Sequence, residues 1–134
     1  MTLFEECTLA LGENIEILSI RETEDMFNKL VSFFPVTSWG RIDWGSVDNF
    51  MEISREQEIL SKIENECGVH YNNTVFLLWN YTDAPSVCAD LNQVLSNIDN
   101  VTAVGSDTWI FCPESGYVIE YFHEGQVTVG FKKR

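Results

Sequence analysis

Positive charge is what this sequence has least of. Eight lysines and arginines stand against 21 aspartates and glutamates in 134 residues, a formal charge of −13. Three of the eight are the last three residues, Lys132, Lys133 and Arg134. Over residues 1–131, five basic residues minus 21 acids leaves −16. Such a field repels nucleic acid and anionic membrane and draws in basic proteins. Nucleic-acid binding needs a basic patch, and three residues at a chain end read as a solvated tail. Long apolar runs are missing too, since nothing approaches the roughly 18 residues of a membrane span. The first residues carry Glu5 and Glu6 where a signal peptide needs positive charge. The expectation is a cytoplasmic protein with no membrane partner.

Cysteine is scarce and scattered: Cys7, Cys67, Cys88 and Cys112, with no Cys-x-x-Cys. Two disulfides are possible on paper, but an unsignalled chain is expected to keep its thiols reduced. The sequons at Asn72, Asn80 and Asn100 read as chance in that setting. Proline and glycine are sparse, at three and eight residues, so nothing marks a linker, and residues 1–134 read as one domain. Phosphate-binding glycine loops and the EF-hand pattern are absent. Cys67-Gly-Val-His70 has ligand-like spacing, but a zinc site needs about four ligands and no second pair accompanies it. Neither metal nor cofactor is expected. Acid pairs such as Glu13/Glu16 and Glu64/Glu66 are unavoidable among 21 carboxylates and indicate no glycosidase.

What is present is a hydrophobic fraction of 45% with 13% aromatics, enough for a folded core and unlike a disordered acidic tail. Residues 15–20 alternate and read as a strand. Thr23 is placed to cap a helix whose apolar positions are Met26, Phe27, Leu30, Val31 and Phe34, stopped by Pro35. Residues 36–53 read as a hairpin, or as a long loop with a short strand at its end. Ser54 and Gln57 have capping-box spacing ahead of Ile59, Leu60 and Ile63, and Gly68 stops that helix. Residues 75–81 read as a central strand buried on both faces. Asp83-Ala-Pro85 opens a further helix with Val87, Leu91, Val94, Leu95 and Ile98 as its stripe. Residues 108–112, 117–123 and 126–131 are three β runs separated by turns at 114–116 and 124–125. The fold class is α/β or α+β, with a central sheet, about three helices and a C-terminal antiparallel meander.

Among the tryptophans, Trp79 lies inside the apolar run and reads as core. Trp39 and Trp44 stand beside Asp43, Asp48 and Glu52 on glycine-interrupted backbone. Trp109 has Asp107 and Glu114 nearby. Aromatic residues among acids on irregular backbone have the composition of an interface for a basic protein. Trp39, Asp43, Trp44, Asp48, Glu52, Asp107, Trp109 and Glu114 are therefore the candidate binding residues.

The acidic, single-domain, motif-poor chain resembles the immunity proteins of contact-dependent growth inhibition systems. The stretch Asp107-Thr-Trp-Ile-Phe-Cys-Pro-Glu-Ser-Gly-Tyr-Val-Ile-Glu-Tyr-Phe-His-Glu-Gly125, about a seventh of the chain, is similar to their closing meander. The resemblance implies an inhibitor without turnover. Its partner would be a cognate basic toxin domain, typically a nuclease and more often an RNase than a DNase. Its acids and aromatics would cover the toxin's active site or substrate groove. Two other readings stay open: a small enzyme pairing Cys67 or Cys112 with His70 or His123, and an acidic nucleic-acid mimic serving as an adaptor.

Overall fold

A computed structural model describes residues 1–133, and Arg134 lies outside the described residues. The elements run α1 (Leu3–Leu11), β1 (Glu16–Ile17), α2 (Ile20–Phe33), β2 (Asn49–Ile53), α3 (Gln57–Cys67), β3 (Thr74–Asn80), β4 (Val87–Asp90), α4 (Leu91–Ser96), α5 (Ile98–Thr102), β5 (Asp107–Cys112), β6 (Tyr117–Tyr121) and β7 (Val127–Phe131). The seven strands form one sheet in the order β1-β4-β3-β5-β6-β7-β2. Every pairing is antiparallel. The α+β class and the closing meander β5-β6-β7 agree with the sequence.

Alternation along the strands gives the sheet two apolar faces, as expected where side chains point to opposite sides in turn. On one face Val75, Leu77, Trp79, Ile110, Tyr117, Ile119 and Val129 meet α1, α3, α4 and α5 through Cys7, Leu11, Ile59, Ile63, Leu91, Val94 and Val101. On the other face Leu78, Trp109, Phe111 and Val118 meet α2 and the segment after it through Leu30, Phe34 and Ile42. The sheet is thus the middle of three layers, and β3 is buried on both sides as its unbroken apolar run predicts. Phe27 meets Trp109 edge-on at 6.0 Å, and Phe33 meets Phe111 at 5.3 Å and 88°. Such T-shaped pairs add about 0.5–1.5 kcal/mol beyond area burial.

Several boundaries differ from the sequence reading. The helix expected from Thr23 begins at Ile20, capped by Ser19 in a full capping box with Glu22. Thr23 instead accepts a 2.9 Å hydrogen bond from the Ser86 amide, tying α2 to the start of β4. Val31, expected on the apolar stripe, is exposed. Only residues 16 and 17 of the expected 15–20 strand pair with the sheet. α1 was not expected at all, although Thr2 and Glu5 form the same reciprocal box at its start. Those bonds hold the Glu5 and Glu22 carboxyls below their ordinary range.

At α3 the Ser54–Gln57 box does not form. Glu58 accepts from the amides of Ser54 and Arg55 at 3.0 and 2.7 Å instead. The helix expected from Pro85 is a strand until Asp90, which then caps α4 through the Gln93 amide. Val87 therefore pairs with Leu77 and Ile17 in the sheet and sits in no helix.

Because the α2 cap is Ser19, Ser19→Ala is expected to lower stability by about 1 kcal/mol, measured by urea denaturation. A loss under 0.3 kcal/mol would return the capping role to Thr23.

Candidate functional site

The segment joining α2 to β2 has little regular structure, and one buried acid gathers several of its polar groups. Val36 bridges Ile42 in a short hairpin whose tip is Trp39–Gly40, and a 3-10 turn at Trp44–Ser46 follows. Both expected forms, the hairpin and the loop with a strand at its end, occur in succession. Beneath this segment lies Glu120 of β6, 1% exposed. Its carboxylate accepts from Arg41 Nε at 2.8 Å, the Ile42 amide at 2.9 Å, Trp44 Nε1 at 3.0 Å and Trp109 Nε1 at 3.0 Å. Four donors, one of them cationic, satisfy a charge whose desolvation alone costs several kcal/mol. Arg41 also lies 4.2 Å above the Phe122 ring. The Trp44 ring lies against Phe50 at 5.5 Å and over Gly130, where any Cβ would run into the indole.

This arrangement divides the eight candidate residues. Trp39 is 67% exposed at the hairpin tip. Asp43 is half-buried and accepts from Ser46 Oγ at 2.8 Å, and Trp44 is half-buried as described. Asp48 and Glu52 are exposed, Asp48 within 3.3 Å of Lys133 Nζ. Glu114 is exposed in the β5–β6 turn. Asp107 and Trp109 are 2% and 3% exposed, which corrects the reading of them as surface groups. Trp109 packs under α2 and donates to Glu120, while Asp107 accepts from the His123 amide at 2.8 Å and faces His123 Nδ1 at 2.9 Å.

The fold brings Asp48 and Glu114 together. Both line an open cleft of about 790 Å³ at one end of the sheet, with Glu66, Lys132 and Lys133 among its walls. Of the C-terminal residues read as a solvated tail, Lys132 is tied down: its amide bonds Gly116 and its Nζ lies 4.0 Å over Phe33. Trp39 stands at the opposite end, beside Tyr81. The sequence reading missed Tyr81, Arg41 and Glu120. Glu120 had a visible signal, as the lone acid in the apolar run Tyr117–Tyr121.

A family model described as CdiI immunity protein EcoliA0-like matches residues 1–130. The chain belongs to that family. No curated protein matches it. Membership makes this CdiI protein an immunity protein against a toxin of contact-dependent growth inhibition, as the resemblance implied.

At Cys7, Cys88 and Cys112 of this CdiI protein the thiol chemistry runs against an activated nucleophile, which needs a lowered thiol pKa. Cys7, Cys88 and Cys112 are free thiols. Burial pushes Cys7 up to about 11 and raises Cys88 and Cys112 as well. Cys67 donates to the Ser115 carbonyl at 3.6 Å. Cys112 ends β5, whereas His123 faces Asp107 at its start, so this pair is separated by the length of the strand. Among the described residues no three His, Cys, Asp or Glu side chains gather as a metal would require. No helix among them is long and apolar enough to cross a membrane.

Removing the Glu120 carboxylate leaves Arg41 and two indole donors without their acceptor. Glu120→Ala is therefore expected to cost about 3–5 kcal/mol, the range for breaking a buried pair, read from chemical denaturation. A cost below 1 kcal/mol would mean that the hairpin is held by something else.

Proposed function

We propose that the toxin neutralised by this CdiI protein is a basic nuclease domain, an RNase in preference to a DNase. The immunity protein binds it by covering its active site or substrate groove. The observation that carries this reading is where the charge sits. Of 21 acids only Asp107 and Glu120 are buried, so the negative excess faces outward over helices, turns and the β2 edge. An enzyme that grips a polyanion carries a complementary field, and a carboxylate-rich surface competes for it as phosphates do. Charge steering of this kind raises association to about 10⁸–10⁹ M⁻¹s⁻¹ at low salt.

Inhibition then needs no chemistry from the immunity protein, only occupancy. The acids that meet the toxin are Asp43, Asp48, Glu52 and Glu114, with Trp39 and Trp44 beside them. Asp48 and Glu52 flank the β2 edge, and Glu114 shares the cleft with Asp48.

The test is binding to the toxin domain encoded beside this gene. The pair should co-purify, and toxin-catalysed RNA cleavage should stop at one equivalent of immunity protein. Asp43→Lys with Asp48→Lys is expected to slow association at least tenfold, and raising salt from 50 to 500 mM should slow the wild type similarly. A salt-independent on-rate would sink the steering argument. Undiminished binding by the double variant would move the interface to the exposed face of α3 around Glu56 and Glu64.

A further inference from the structure

Two large aromatic residues stand exposed at the hairpin end of the sheet. Trp39 and Tyr81 are each 67% exposed and lie 42 residues apart in sequence. The Tyr81 hydroxyl donates to the Trp39 carbonyl at 2.6 Å. Asn80 completes the join, donating from Nδ2 to the Gly40 carbonyl at 3.1 Å and accepting from the Tyr81 amide through Oδ1 at 3.1 Å. Gly40 is required at this junction. It has φ +86°, and a Cβ there would run into Asn80 Nδ2.

Tyr81 itself has φ +60°, the one positive-φ residue other than glycine among those described. The left-handed region costs a residue with a Cβ roughly 1–2 kcal/mol, and such strain persists only where surrounding contacts over-determine it. The chain here combines a left-handed Tyr81 and a glycine that admits no Cβ with two rings that stay out in water. Neither ring belongs to the two cores, so burial within the chain does not account for them. Rigid, solvent-facing Trp and Tyr are the residue types that dominate binding energy when a partner desolvates them.

The geometry points to Trp39 and Tyr81 as a preformed aromatic anchor for the toxin, a deeper statement that rests on the toxin-binding reading above. The occupant is a basic protein surface with an apolar pocket. A second copy of this chain is disfavoured, because association would bring two bodies of −13 together. Asp83, two residues beyond Tyr81 and exposed, extends the acidic field to the anchor. The acids set the rate of encounter, and the anchor sets how long the complex lasts. Because the Tyr81 hydroxyl and the Trp39 backbone are bonded to each other before binding, less conformational freedom is lost on docking.

The experiment measures association and dissociation of the full-length protein with the neighbouring toxin domain. Trp39→Ala, Tyr81→Ala and Val69→Ala are compared with wild type. Val69 is an exposed apolar residue at the other end of the sheet. Trp39→Ala and Tyr81→Ala are each expected to weaken binding about 30-fold or more, mainly through faster dissociation, whereas Val69→Ala changes it less than threefold. Hydroxyl-radical footprinting of the unsubstituted complex supplies a second readout, with Trp39 and Tyr81 protected and Val69 not. If wild type binds the toxin but both alanine variants bind within threefold of it and the rings stay unprotected, the anchor is overturned and toxin binding stands. If wild type does not bind, the toxin-binding reading falls and the anchor with it. A dimer of the free protein that Trp39→Ala dissolves would assign the pair to self-association and overturn the proposal.

Discussion

The carboxylate of Glu120 occupies a position that strand alternation reserves for an apolar side chain, on the α2-facing side of β6 beside Val118. It holds the charge there because four donors converge on it, three from residues 41–44 and one from Trp109. A segment with two glycines and one bridging pair of residues is thereby tied to the sheet, alongside the packing of Val36, Ile42, Trp44 and Val47 on the second core. The cost of burying the acid is offset best when every donor is in place, which couples the hairpin to the sheet. The position of Trp39 follows from that condition, and with it the register of the contact to Tyr81.

Asp107 does similar work on a smaller scale, receiving the His123 amide where β6 leaves the sheet. The molecule therefore uses its acids in two ways. Two are buried and bonded as connectors of backbone. Most of the others reach solvent, with Glu5, Glu22, Glu58 and Asp90 also accepting amides at helix starts, and there their mutual repulsion weakens the fold slightly and their field extends about a Debye length into the surroundings. The two roles are separable, since reversing a surface acid leaves the connectors untouched.

Much of the architecture is readable locally. α2, α3, β3 and the closing meander follow from apolar periodicity and from turns containing Gly116 and Gly125. The misreadings have physical reasons. Ser19-x-x-Glu22 is a complete capping box and Thr23 has no acid three residues on, so the stronger signal was present beside the weaker one. Thr2-x-x-Glu5 marks α1 in the same way. Val87 to Asp90 is a strand because β1 and β3 are there to pair with it, and pairing across the sheet overrides the helix signal that Pro85 offers. The site was legible only in part. Trp39 stands out from its sequence surroundings, but Trp109 has similar neighbours and is core. The difference is made by an acid 11 residues beyond Trp109, and by a tyrosine 42 residues beyond Trp39.

The four tryptophans sit in four different environments. Trp79 is sealed in the layer of α1 and α5, its indole donating to the Val101 carbonyl at 2.8 Å. Trp109 lies in the opposite layer under α2, Trp44 lies half-covered against Phe50, and Trp39 is in solvent. The protein thus carries its own set of optical probes, one for each side of the sheet, one for the seam along its edge and one for the outside. With single-tryptophan variants, fluorescence alone can separate loss of either layer from detachment of the hairpin, and both from a change at the surface.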